Sequence, residues 1–299
     1  MGNIKNGGDI RWINTAGFEI AMANGKHILI DPFITGNFNG IECHPMPIHD
    51  IKACEYLILS HTHSDHAADV HRIQKKFPKT NIFIGDLSAD ALCEEQGVDC
   101  GRMYRVRSGE KYEFDDVKIE IFSGRHTESP RGYFRHSRDF QKPDGSLDRQ
   151  QWLGNLEFLN YRLTLCDGTT VLVWGGMRSA DQKHKFEDMN VNIALMQVSP
   201  KQDFEEFANL VKAIRAQIVI PHHYDFTQEL FKVMPQSMDA MSEENKKNFI
   251  ENGMFRMDKY MEALGEKVRE KAPETDIITL DHHKWYSFGF SVRLREASE

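Results

Sequence analysis

The chain has 299 residues, with 37 Lys and Arg against 45 Asp and Glu, a formal net charge of −8, and 40% hydrophobic residues. That composition supports a sizeable globular core and excludes a disordered or collagen-like chain. The acidic balance argues against bulk nucleic-acid binding, which needs a basic footprint.

In chain order, Ile10 to Ile20 reads as a strand and Lys26 to Asp31 as a second, joined by an Asn24-Gly25 hairpin turn. Residues 35 to 50 are rich in Gly, Asn, Pro and His and read as a loop. Tyr56 to Ser60 is a short apolar strand, and helical spacing follows from Ala67 to Phe77. Asn81 to Gly85 reads as a strand, Ser88 to Gly97 as a helix capped by Gly97, and Arg102 to Ser123 as a three-strand meander. Residues 127–152 read as a long polar loop insertion. Leu156 to Cys166 and Thr170 to Trp174 form a strand pair across Asp167-Gly168. Ile193 to Val198 is a strand, Phe204 to Ile214 an amphipathic helix, and Ile218 to His223 a strand ending in two histidines. A charged, Met-rich helical insertion or lid spans 225–271. Strands at Ile277 to Leu280 and Trp285 to Leu294 close the chain. Strands followed by alternating strands and helices, in both halves, predict an α/β fold. The expected architecture is a single domain over 1–299, an αββα sandwich of two mixed β-sheets with outer helices.

The N-terminal residues lack the apolar segment of a signal peptide. Asn6 stands where a myristoylation site has Ser or Thr. No apolar run reaches the roughly 20 residues of a membrane helix. Five cysteines, odd in number and without a CxxC pair, argue for free thiols over a disulfide framework or a four-cysteine zinc site. Together these features point to a cytoplasmic protein. Neither a Gly-x-Ser-x-Gly elbow nor a phosphate-binding P-loop is present.

Fourteen histidines against four Trp and five Cys are a surplus of metal-capable side chains. Three of them and one carboxylate fall within six residues, His61-Thr-His63-Ser-Asp65-His66, between a buried strand and a helix. Imidazole and carboxylate together suit Zn, Fe and Ni. A turn at this place points His61 and His63 at one metal, and Asp65 and His66 at a second.

This segment resembles the HxHxDH motif of the metallo-β-lactamase-fold superfamily. The run from Trp12 to Phe33 (WINTAGFEI, then KHILIDPF) resembles the opening of its ascorbate-6-phosphate lactonase-like and N-acylphosphatidylethanolamine phospholipase-D-like branches. The likeness runs from about residue 10 to 225. It implies that His126, after the strand ending at Phe122, completes the first metal's ligands. It implies that His223 completes the second's, ahead of His222, because relatives show Pro, one residue, then His. Asp31 matches a buried aspartate that steadies the metal loop. The carboxylate that bridges both metals in relatives is missing, because the aligned position is Gly176. Asp181 is the candidate to reach back, with His184 and Glu128 behind it. Thr15 stands where some relatives have a His.

The reading that follows is a hydrolase with one or two divalent ions, Zn first and Fe or Mn as alternatives. A metal-bound hydroxide would attack an ester, lactone, amide or phosphodiester of a small molecule, with Asp65 binding metal and orienting the water or shuttling its proton. Two alternatives stand: an iron-dependent redox enzyme, although flavin-linked diiron relatives carry Glu where this chain has His63, and a non-catalytic metal sensor with a degraded second site. Arg125 and Arg131, with Arg135, Arg138 and Arg149, either bind an anionic substrate or form a solvated loop offset by Asp139, Asp144 and Asp148. His222 is a further substrate-contact candidate. Asp281-His282-His283 reads as an exposed turn, and His44 and His49 as loop residues. The methionines 234, 238, 241, 254, 257 and 261 read as core or lid packing, or as a flexible apolar lid over a substrate. Lactonase-like relatives often self-associate, which implies a homo-oligomer.

Overall fold

The computed structural model describes residues 7–38, 40–126, 136–175, 186–200 and 203–289. Within them the chain forms two seven-stranded sheets packed face to face. The first runs in the order Trp285–Phe288, Gly8–Asn14, Gly17–Ala21, His27–Ile30, Tyr56–Ile58, Asn81–Gly85, Met103–Val106. Its first three pairings are antiparallel and its last three parallel. The second runs Asp276–Ile277, Ile218–His222, Ile193–Gln197, Thr170–Trp174, Leu159–Leu165, Val117–Ser123, Lys111–Glu113. Here the first three pairings are parallel and the rest antiparallel.

Strand alternation decides what lies between the sheets. Ile10, Trp12, Phe18 and Ile20 of the first sheet meet Ile119, Ile121, Tyr161, Leu163, Leu195 and Ile220 of the second. The alternate residues face outward and are covered by helices. Val70 and Ile73 of Val70–Lys76, with Ala89 and Leu92 of Ala89–Gln96, cover Leu57, Ile82 and Ile84. Phe207 and Val211 of Phe204–Ile214, with Tyr260, Leu264 and Val268 of Met257–Lys271, cover Leu172, Ala194 and Val219. The αββα sandwich is therefore as expected.

Several local expectations need correction. The strand read from Ile10 to Ile20 is a hairpin, broken at Thr15, whose φ is 47°. The helix read from Ala67 is two pieces, Ser64–Ala67 and Val70–Lys76. The expected meander is divided: Met103–Val106 closes the first sheet and Lys111–Glu113 opens the edge of the second. Part of the polar loop is a helix, Arg149–Leu156, capped by Asp148, whose side chain accepts from the Gln151 N–H. Cys93 and Cys100 are joined as a disulfide, contrary to the expectation of free thiols, while Cys43, Cys54 and Cys166 are free. Of the Met-rich run, Met241 and Met257 are buried whereas Met234 and Met254 are exposed. No helix among the described residues is long and apolar enough to cross a membrane.

Candidate metal centre

The ligand candidates gather where strands of both sheets end, the usual place for a site in an open α/β sheet. His61 follows Tyr56–Ile58, His126 follows Val117–Ser123, and His223 follows Ile218–His222. His63 caps the one-turn helix Ser64–Ala67, and Asp65 and His66 lie within it. These six residues form two groups, His61–His63–His126 and Asp65–His66–His223. In each, one ligand atom per residue lies within 4.8 Å of the others. The groups adjoin: the His61 and His66 rings are 4.0 Å apart between centroids. The six residues that the motif and the resemblance picked out are thus brought together.

The His61, His63 and His66 rings are each held through a nitrogen that meets a fixed partner. The Ser60 hydroxyl lies 3.0 Å from His61 Nδ1, and His61 Nε2 is buried with no hydrogen-bond partner. His63 Nε2 faces the Gln151 carbonyl at 3.0 Å, which leaves Nδ1 on the side of the site. His66 Nδ1 lies 2.9 Å from Asp31 Oδ2, and its Nε2 lies 3.7 Å from Asp65 Oδ2. Asp31 also accepts from the Ser60 N–H at 2.7 Å and the Ser60 hydroxyl at 2.6 Å. One buried carboxylate therefore orients a ligand from each group, directly at His66 and through Ser60 at His61. An orphaned, buried imidazole nitrogen among convergent histidines and a carboxylate is a donor set that fits divalent metal ions.

Electrostatics separate the two groups. Burial, then the neighbouring imidazoles, push His61 well below the ordinary histidine value. Burial lowers His63 to about 4, with Asp65 opposing. Both are neutral at pH 7, as a nitrogen ligand must be. Burial also lowers His66, but the Asp65 and Asp31 carboxylates outweigh it and hold the ring above the ordinary value. Burial opposes ionisation of Asp65. His66 and the hydrogen bond to His223, with Nε2 3.2 Å from Oδ2, outweigh that and hold the carboxyl well below its usual range.

Several residues around the ligands carry no sequence signal of their own. Phe158 lays its ring 4.6 Å from His61 and 6.1 Å from His126. Gly124 and Gly175 make room for it, since a Cβ there would stand 2.3 and 2.5 Å from the Phe158 ring. The helix Arg149–Leu156 supports the metal turn: Thr62 Oγ1 donates to the Gln150 carbonyl at 2.8 Å, and Gly154 packs against His63. Asp225 is buried and accepts from the Thr15 N–H at 2.8 Å; its partner at 3.0 Å is His282. His282, expected in an exposed turn, is instead stacked between Trp12 and His44, at 3.9 and 3.6 Å. His49, by contrast, is exposed.

Other expected site residues divide. His222 is outside both ligand groups. It packs edge-on against Phe18 between the sheets, both ring nitrogens are without partners, and burial lowers it to about 3. Arg125 is half-buried beside His126 in the chain. Arg149 pairs with Glu94, tying two helices together. Arg131, Arg135, Glu128, Gly176, Asp181 and His184 lie outside the described residues.

A family model described as a beta-lactamase superfamily domain matches residues 9–223. A metal-dependent hydrolase from Staphylococcus carnosus is 34% identical over 107 residues, which cover 36% of this chain and 43% of that protein. One from Desulforamulus reducens is 27% identical over 201 residues, covering 66% of this chain and 76% of its own. This chain thus spans less than half the length of the first of these relatives. Among solved structures, a metallo hydrolase from Ignicoccus hospitalis shares 16% identity and a TM-score of 0.61, covering 95% of this chain and 99% of the other. That likeness is one of fold. With a family model spanning residues 9–223 on an αββα sandwich, the chain belongs to the beta-lactamase superfamily.

Proposed function

We propose that the protein is a metal-dependent hydrolase whose two ligand groups each hold a divalent ion, zinc first among the candidates. The observation that carries this reading is the pair of adjoining three-residue groups. Bound there, the ions would supply a water activated near neutral pH and a Lewis acid for the substrate oxygen. His61, His63 and His126 would hold one ion, and Asp65, His66 and His223 the other. Asp65 would ligate and either orient the water by accepting a hydrogen bond or shuttle its proton. Phe158 closes one wall beside His61 and His126 and excludes water there. Arg125 is suited to an anionic group on the substrate. The substrate class is a small ester, lactone, amide or phosphodiester. Asp181 remains the candidate for the carboxylate that Gly176 lacks.

The test combines metal analysis with hydrolysis of ester, lactone and phosphodiester panels by the wild type, His61→Ala and His126→Ala. Loss of metal and of hydrolysis in both variants is expected. Full metal content and full activity in both would refute the assignment.

A further inference from the structure

We propose that Asp225 and His282 are positioning residues that hold the backbone of His223, and so set how tightly the Asp65–His66–His223 group takes its ion. The inference rests on the metal reading above and concerns residues outside the ligand set. His223 sits at φ 71°, a left-handed conformation uncommon outside glycine, although histidine enters it more readily than most residues. Its N–H donates to the Thr15 carbonyl at 2.9 Å. Thr15 is itself left-handed, at φ 47°, and is gripped at both ends of its backbone. Its carbonyl also accepts from Trp12 Nε1 at 3.0 Å, and its N–H donates to Asp225 Oδ2 at 2.8 Å.

The same Asp225 oxygen accepts from Cys43 Sγ at 3.2 Å and faces His282 Nε2 at 3.0 Å. His282 cannot swing away from it. Trp12 and His44 cover its two faces, the His283 N–H donates to the Trp12 carbonyl at 2.8 Å, and His283 Nε2 faces the His44 carbonyl at 3.0 Å. The strand Trp285–Phe288, paired with Gly8–Asn14, brings this segment back across the first sheet. A relay of four residues therefore runs from His282 through Asp225 and Thr15 to the His223 backbone. A ligand on a helix interior needs no such support. His223 precedes its helix, Tyr224–Val233, and the Thr15 carbonyl holds its N–H while Thr227 donates to its carbonyl.

Full-length protein stripped of metal is titrated with zinc alone by calorimetry, and the fold of each apo protein is followed by thermal melting. His223→Ala marks which equivalent belongs to the Asp65 group. The wild type is expected to take two equivalents. Asp225→Asn and His282→Phe, the latter keeping the stack between Trp12 and His44, should leave the other equivalent unchanged and weaken the marked one about 10- to 100-fold. His282→Gln, whose amide can replace the Nε2 donor, should recover most of that loss. Wild-type affinity for the marked equivalent in both variants overturns the proposal, as does an equal fall in both equivalents that tracks a lowered melting temperature. A wild type that takes no zinc refutes the metal reading itself, and the relay with it. Should Asp225→Asn fail to fold, the His282 pair alone decides.

Discussion

Gly154→Ala sets two effects of known sign against each other. Gly154 is buried within the helix Arg149–Leu156. By helix propensity alone, alanine there would stabilise by about 1 kcal/mol. The added Cβ, however, would stand 2.8 Å from His63 Cδ2, 2.9 Å from the His63 backbone nitrogen and 3.0 Å from Thr62 Oγ1. Carbon contacts are comfortable at roughly 3.5–4.0 Å, so three atoms must retreat by half an ångström or more. They are not free to do so: Thr62 and His63 are hydrogen-bonded to the Gln150 and Gln151 carbonyls of this same helix. Overpacking of this kind costs about 1–3 kcal/mol, and each hydrogen bond stretched or lost about 1 kcal/mol more. The steric term wins. We expect apo Gly154→Ala to be less stable by about 1–3 kcal/mol in urea unfolding, with zinc uptake by the His61–His63–His126 group weakened because His63 is displaced. A variant about 1 kcal/mol more stable than wild type, with unchanged zinc uptake, would show that propensity governs and that the contact with His63 is not made.

Asp31→Asn removes the charge that Ser60 and His66 share, and metal affinity should fall about 10- to 100-fold with the secondary structure intact; zinc titration that matches wild type would contradict the role given to Asp31. Asp116 accepts from the Tyr56 hydroxyl at 2.6 Å and meets Lys26 at 2.6 Å. Burial opposes its ionisation, but Lys26 and Tyr56 outweigh it and hold the carboxyl below its ordinary value. Its stabilisation is therefore fully present above the unfolded carboxylate range, near pH 4, and is lost as pH falls through the lower folded value. Asp116→Asn should cost about 1–3 kcal/mol at pH 7, with the gap closing as pH falls through the lowered folded value; urea midpoints that keep a constant gap as pH is lowered would rule the ion pair out as its source. Tyr260→Phe deletes the buried hydrogen bond from the Tyr260 hydroxyl to the Ser199 carbonyl, 2.8 Å long. A loss of about 1 kcal/mol with zinc uptake unchanged is expected, and reduced zinc uptake would mean that the outer helix layer is coupled to the site.

What could be read from the residues alone follows from how local each signal is. The ligands of the metal turn lie within six residues, so their spacing carries that part of the site, whereas His126 and His223 are distant in sequence and come only from the family resemblance. Phe204–Ile214 was legible because its apolar face is continuous. Arg149–Leu156 was not: its apolar residues are sparse and Gly154 sits in its middle, although that glycine is what lets the helix approach His63. Asp225 and His282 are 57 residues apart, and nothing in either neighbourhood announces the pair. The Cys93–Cys100 pairing carries no CxxC signature, and an odd cysteine count leaves room for one disulfide beside three free thiols.

The strand broken at Thr15 belongs with a wider pattern. Thr15, Asp31, His44, His223 and His283 all adopt left-handed backbone without being glycine. Each such residue costs of order 1–3 kcal/mol and persists only where its surroundings over-determine it. Here the surroundings are largely one another. His223 donates to Thr15, Thr15 donates to Asp225, and Asp225 faces His282; His283 faces the His44 carbonyl, while the Asp31 N–H donates to Ile58 and its carboxylate takes both donors of Ser60. Local preference fails at these positions because it is overruled by contacts from segments far apart in the chain. The overruled residues are the ligand His223, the carboxylate behind two other ligands, and their immediate neighbours. The conformation that aims these side chains is therefore a property of the assembled sandwich and not of the metal turn alone. A peptide carrying the His61–His66 segment would keep the motif and lose the aim.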